Sequence, residues 1–297
     1  MKLSKSYKTF LAINAFVLII ISILMLYPYL NQLAIALNDG NDSAFGGFTI
    51  FPRKFTLLNF QTILSDPSVG KAAFVSVLRT VLNVFIHLFV TFSAAYALTR
   101  KNLKGRSMIN KILMLTMYLN AGTIPTYILY RYLGLINNFW VYVIPYSFSF
   151  YNMIIMRSFI QELPISLEES ALLDGANEFK IMMKIIVPLS KPVLATIALW
   201  VAVGQWNDYS STLMYVTDKN LFSLQYLMLR IIKQGEALKQ IGLDQAMGAD
   251  TSAAAAQTTS ESIKAAMLII STIPILCVYP FLQKYFVKGL TLGAVKG

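Results

Sequence analysis

With 297 residues, 56% of them hydrophobic and 13% charged, the chain is too apolar for a soluble globular domain, so a membrane protein is the class its composition leaves. Its one cysteine, Cys277, sits in the last apolar run, which excludes an intrachain disulfide and a cysteine-built metal cluster. The net charge of +11 would suit nucleic acid in a soluble protein; here the basic residues gather between apolar runs, where they report orientation, and no basic face interleaved with exposed aromatics suggests a nucleic-acid partner.

A bilayer span needs about 20 apolar residues at about 1.5 Å rise each. The first run, about 10–37, follows Lys2, Lys5 and Lys8. It exceeds the roughly 7–15 apolar residues of a signal peptide and passes Tyr27-Pro28-Tyr29 without a small-residue cleavage site, which predicts a retained helix. A loop with Gly46-Gly47 and Pro52 runs to about Lys71. Further spans are predicted near 72–98, 108–130, 139–159, 193–216 and 264–285, giving an all-α polytopic membrane protein with six transmembrane helices.

Six spans put both termini on one side of the membrane. If that side is the cytoplasm, the inner segments carry fifteen Lys and Arg and the outer ones nine, and the short inner loop from Arg100 to Lys111 is especially dense. In span two, Arg79 lies toward the outer end and is expected to snorkel to the interface. His87 lies nearer mid-depth and is expected to be an interhelical hydrogen-bonding group, not a proton relay.

Between spans four and five lies a charged stretch, Glu168-Glu169-Ser170-Ala171-Leu172-Leu173-Asp174-Gly175 and onward to Pro192. Ser166 followed by Glu169 has capping-box spacing, so a helix is predicted to start there. Gly175 can take the left-handed conformation that ends it. Asn177 can cap a second helix whose apolar arc is Phe179, Ile181, Met182, Ile185 and Ile186, with Lys180 and Lys184 as a basic edge. Pro188 and Pro192 mark the return to the membrane. These residues alone leave two readings open, a helix pair lying on headgroups and a docking element.

Span five is polar in its outer half: Gly204-Gln205-Trp206-Asn207-Asp208-Tyr209-Ser210-Ser211-Thr212. Lipid would leave such groups unpaired, so they face protein or water. On a continuous helix Gln205, Asp208 and Thr212 share a face with Trp206 and Tyr209 near it, and with Asn207 they offer donors, acceptors and aromatic planes suited to a sugar. An interfacial aromatic belt is the other reading. The loop 217–263 is long for a passive connection, and its first half has helical apolar spacing.

Glu169-Ser170-Ala171, three residues, Gly175, nine residues, then Ile185-Ile186-Val187-Pro188 resembles the EAA loop of ABC importer permeases, with Ser170 and Val187 standing for an alanine and a leucine of that pattern. The ending Phe286 to Gly297, with Tyr279-Pro280-Phe281 before it, is similar to that of maltose-type permeases for carbohydrates and oligosaccharides. The resemblance implies the type I ABC importer permease fold, with an N-terminal helix and outer loop over residues 1–71, a core 72–290 and a cytoplasmic tail 291–297. Glu169, Ser170, Ala171, Asp174, Gly175, Ala176, Ile185 and Pro188 would then couple to a cytoplasmic ATPase within the loop 161–192. Lys288, Gly289, Gly293 and Lys296 would form a second ATPase contact, and the loop 217–263 would meet an extracytoplasmic solute-binding protein.

The implied assembly contains a second homologous permease, an ATPase dimer and the solute-binding protein, in the bacterial cytoplasmic membrane with both termini cytoplasmic. The chain has no Gly-rich Lys-Ser/Thr phosphate loop, so ATP and Mg would belong to the partner ATPase, and no catalytic residue, cofactor or metal is expected in this chain. Three alternatives are weaker. An ion-coupled secondary transporter wants buried carboxylates, and the spans offer only Asp208; a membrane-embedded enzyme would have to work with one His and one Cys far apart in sequence; an importer of peptides or amino acids would differ only in cargo.

Overall fold

A computed structural model describes residues 4–47, 50–119, 121–241 and 258–294. The regular structure of the described residues is helical, apart from one isolated antiparallel bridge between Asn38 and Phe55. The chain packs as two compact units, 1–69 with 228–273 and 70–227 with 274–297.

The first unit opens with α1, Lys5–Ala36, capped by Ser4, whose hydroxyl accepts from the Tyr7 N–H (3.3 Å). Its apolar side chains from Phe10 to Leu26 are exposed, as a lipid-facing helix requires, and it tolerates Pro28 in its interior. After α2, Gly40–Ala44, Asp42 accepts from the Asn38 amide (2.8 Å) and the Arg53 guanidinium (2.7 Å), which together hold its carboxyl below the ordinary carboxylate range. From α3, Leu58–Leu64, the fully buried Asn59 donates to the carbonyls of Ala36 (3.0 Å) and Asn38 (2.9 Å) and accepts from the Ser262 hydroxyl (2.8 Å). One side chain thus ties three chain segments. Substituting Asn59→Ala strands two carbonyls, while Ser262 keeps the Thr259 carbonyl as acceptor (3.0 Å), and we expect a loss of about 2–3 kcal/mol. Read as thermal inactivation of detergent-solubilised protein, this is a fall of several degrees; an unchanged profile would show that the tie carries no weight.

The second unit contains most of α4, Pro67–Thr99, followed by α5, Arg106–Tyr118, and α6, Thr123–Tyr132. The span predicted near 108–130 is therefore two helices. Gly122, at φ +83°, stands at their junction, and a residue in that conformation cannot continue an α-helix. The fourth expected span is also bent: 3-10 turns at Phe139–Tyr142 and Ile144–Tyr146 meet α7, Phe150–Gln161, at 47°. Two short helices follow, α8, Ser166–Leu173, and α9, Glu178–Ile181, the latter running through a π turn at Met182–Ile186 into α10, Val187–Leu189. An 81° bend at Ser190 opens α11, Lys191–Asn207, and α12, Ser210–Tyr215, completes that region.

The remaining helices are α13, Leu224–Ile241, and α14, Ser260–Ala294. In the first unit they pack so closely that a Cβ on Gly235 would lie 2.0 Å from the Ser260 hydroxyl, and Ala265 and Ala266 are fully buried. Among the described residues, three helices are long and apolar enough to cross a membrane, or up to five if each bent pair is one span.

Two apolar clusters hold the second unit together. One gathers Phe92, Ala95 and Tyr96 of α4, Met153 and Met156 of α7, Ile181 and Ile186 of the short helices and Ile197 of α11. The other joins Val75, Val141, Tyr142, Val216 and Phe222. Along α4, the residues from one cluster to the other include Arg79, Asn83 and His87, spaced by four so that they share a helix face.

Candidate functional site

The polar layer of the second unit is built around a break in the fifth predicted span. The continuous helix expected over 193–216 ends at Asn207, because Asp208 is extended (φ −74°, ψ 113°) and uses its side chain locally. Its Oδ1 accepts from the Ser210 hydroxyl (2.7 Å) and the Ser211 N–H (3.2 Å), holding the first turn of α12. The last carbonyls of α11 then need partners, and Arg79 supplies them. Its Nη2 donates to the Gln205 carbonyl (2.6 Å) and to the Asp208 carbonyl, its Nη1 pairs with Asp208 Oδ2 at 3.3 Å, and its guanidinium lies 4.9 Å from the Tyr142 ring centre. The expectation that Arg79 snorkels is overturned: its side chain is wholly buried. The physical reason is the helix break, which offers the cation carbonyls and a carboxylate at close range.

His87 behaves as expected. Its Nδ1 donates to the Tyr146 carbonyl (2.7 Å) and its Nε2 accepts from the Asn152 amide (2.9 Å), so both ring nitrogens are used in the neutral form. Beside it, a cavity of about 390 Å³ is lined by Asn83, His87, Tyr146, Gln205, Asp208 and Ser210 together with Val201 and Gly204. Two of the lining residues carry an oxygen, Asn83 Oδ1 and Gln205 Oε1, that is buried with no protein partner.

Of the six residues singled out in span five, the structure brings Gln205 and Asp208 to this cavity. Asn207 and Tyr209 are exposed. Trp206 lines an apolar pocket with Val77, Val81, Leu199 and Val203, and Thr212 is buried in a hydroxyl chain, 2.9 Å from Tyr142 and 2.9 Å from Ser223. Asn83 and Tyr146 were missed by sequence reasoning. The signal that could have found Asn83 was the polar stripe Arg79, Asn83, His87, Thr91, which repeats every fourth residue of an otherwise apolar helix.

The second element is the charged helix pair. Ala176 N–H donates to the Ala171 carbonyl (3.0 Å) and Gly175 N–H to the Leu172 carbonyl (3.0 Å), the two bonds of a Schellman turn, with Gly175 at φ +75° as expected. Asn177 caps α9 as expected, its Oδ1 accepting from the Lys180 N–H (2.8 Å). The capping box does not form: Ser166 is already inside α8, and Ile165 precedes it with no side-chain cap. The π turn stands just before Pro188, which has no N–H to continue the ladder and whose ring crowds the preceding turn.

Ala171, Ile181, Met182 and Ile186 are buried, and Ala176 and Ile185 pack against the same cluster. Glu169, Ser170, Asp174, Gly175 and Pro188 are exposed. Leu173, 90% exposed, and Leu172 join them as an apolar patch with Phe179, which belongs to the expected apolar arc but is exposed and not part of the buried cluster. Arg100, just beyond the end of α4, is ion-paired to Glu168 of α8 and lies 3.4 Å from Glu178 of α9, while Tyr96 of α4 donates to Glu178 (2.6 Å). One spanning helix is thereby tied to both short helices. Lys288, Gly289 and Gly293 fall in the last turns of α14, and Lys296 lies outside the described residues.

Long apolar helices, a broken span around a polar interior and an exposed helix pair anchored to the bundle define a membrane transport subunit of the permease class. The chain belongs to the family described as the binding-protein-dependent transport system inner membrane component, whose profile matches residues 6–292. It is 38% identical over 270 residues to the protein LplC of Bacillus subtilis (strain 168), covering 91% of this chain and 89% of that one. It is 34% identical over 280 residues to the polygalacturonan/rhamnogalacturonan transport system permease protein YtcP of the same organism, covering 94% and 96%. Among solved structures, a chain of a bacterial ABC transporter involved in import of the acidic polysaccharide alginate superposes with a TM-score of 0.84 at 28% identity, over 96% of this chain and 99% of that one. The protein is an inner-membrane permease component and is not itself the catalytic subunit of its transporter.

Proposed function

We propose that this permease moves an oligosaccharide from a solute-binding protein across the cytoplasmic membrane by alternating access, driven by a partner ATPase. The observation that carries the reading is the cavity at the break between α11 and α12, whose lining of Asn83, His87, Tyr146, Gln205, Asp208 and Ser210 supplies the donors and acceptors that hydroxyl groups need. The names of its relatives support a carbohydrate cargo, since YtcP is a polygalacturonan/rhamnogalacturonan permease and the solved importer carries alginate. Gln205 and Asp208 meet the cargo in this reading, Asn207 and Tyr209 flank its path, and Trp206 and Thr212 hold the wall.

In the same reading the chain has six spans, with α5 and α6 forming one span interrupted at Gly122, and both termini are cytoplasmic. Residues 1–71 add a helix and outer loop to the core 72–290, and the tail 291–297 reaches the ATPase with Lys288, Gly289, Gly293 and Lys296. The exposed edge Glu169, Ser170, Asp174, Gly175, with Ala171, Ala176, Ile185 and Pro188 shaping it, docks the ATPase; Leu172, Leu173 and Phe179 add the apolar surface such an interface buries. ATP and Mg belong to that ATPase. A homologous second permease completes the pore, and loop 217–263 faces the solute-binding protein.

The test is uptake by the complete assembly in proteoliposomes. Oligosaccharide accumulation that needs ATP and the binding protein is expected; accumulation of peptides but of no carbohydrate, or carbohydrate uptake undiminished without the ATPase, overturns the reading.

A further inference from the structure

We propose that a second cavity, along α5 and α7, is an anion-selecting section of the transport path that holds the carboxylates of an acidic oligosaccharide on Arg106, Lys111 and Arg157. The inference rests on the carbohydrate reading above and narrows its substrate class. The cavity measures about 890 Å³, within the usual range of ligand sites. Three cations line it and no carboxylate does. None of the ion pairs among the described residues involves them.

Arg157 is the most constrained of the three. Its Nη1 donates to the neutral Asn110 Oδ1 (3.0 Å), and its Nε is buried with no partner. A half-buried guanidinium next to other cations and without an anion is costly, and a carboxylate entering the cavity removes that cost through paired N–H···O bonds. Toward its other end the cavity is walled by Tyr118 and Tyr151, whose ring faces suit the apolar face of a pyranose.

The same Tyr151 stacks on Trp200 of α11, with ring centres 6.5 Å apart and planes at 23°. Trp200 is one helical turn from Gly204, which lines the polar cavity at the helix break. An anionic phospholipid would also satisfy three cations above an apolar groove; the exposed rings of Tyr118 and Tyr151 beside those cations favour a chain of sugars.

The experiment uses the complex of this chain with its permease partner and ATPase in nanodiscs, without binding protein, and titrates trigalacturonate and its methyl ester, which share the sugar backbone while esterification removes the carboxylate charges. We expect the acid to bind about tenfold tighter or more than the ester, less so at high salt. The acid-to-ester ratio should fall toward one in Arg157→Gln and in the exposed-site variant Lys111→Gln, and Arg157→Lys should keep most of it. Equal binding of acid and ester, no binding of either, or variants that leave the ratio intact overturn the proposal. So does loss of retained phosphatidylglycerol in Arg157→Gln with the ratio unchanged, the signature of a lipid site. Failure here alongside ATP-driven uptake of neutral oligosaccharide by the full assembly leaves the carbohydrate reading standing; uptake of peptides alone removes both.

Discussion

Replacing Arg79 by Met is expected to cost about 3–5 kcal/mol, the range seen when one partner of a buried ion pair is removed, and to leave little assembled transporter. Three groups lose their partner at once: the Asp208 carboxylate and the carbonyls of Gln205 and Asp208 at the open end of α11. Lipid cannot replace them, and no lysine or arginine lines the cavity beside the break. Asp208→Asn should cost less, because a neutral amide still accepts from Ser211 and Arg79 keeps its two carbonyls. The double variant Arg79→Met with Asp208→Asn should recover some of the Arg79→Met loss and no more, since the stranded charge is gone while the carbonyls remain unpaired. Yield and thermal inactivation of the detergent-extracted complex measure all three. Full recovery in the double variant would mean that Arg79 only neutralises Asp208 and does not cap the broken helix.

The second large effect is expected at Gly175. Its φ of +75° is the left-handed conformation, and a Cβ placed there meets no other atom of this chain within 4 Å, so within the chain the cost of a side chain arises in the backbone alone. That separates substitutions cleanly. Asn enters the left-handed region readily and should support ATPase association close to normal; Val, β-branched, should distort the Schellman turn at a cost of about 1–2 kcal/mol or more. Because α8 and α9 are short and the turn sets the angle between them, Gly175→Val should insert normally yet lose tenfold or more in ATPase association and coupled uptake. Co-purification of the ATPase with each variant decides it. Equal behaviour of the Asn and Val variants would show that the left-handed turn is not what the partner reads.

The helix pair shows how far local chemistry can be followed. Gly175 and Asn177 act at short range, one through its missing Cβ and the other through a side chain reaching three residues along, so their conformations could be read from their neighbours. Ser166 failed by the same logic: a capping box needs its serine outside the helix, and the chain leaving Pro164 is already helical at Ile165. The partners of Glu168 and Glu178 were out of reach, because Arg100 and Tyr96 lie more than sixty residues away in the chain and meet them only after the bundle has formed.

By itself the sequence determined the membrane class, the apolar runs, the left-handed turn and the family, since each depends on composition, on residues a few positions apart or on a spaced motif. The tertiary structure alone decided where span five breaks and what becomes of Arg79. A polar run on a lipid-depth helix can stay helical and line a face, or it can open and expose its carbonyls. Which of these wins depends on whether a distant cation arrives to satisfy the open end, and only the packing of α4 against α11 brings it there.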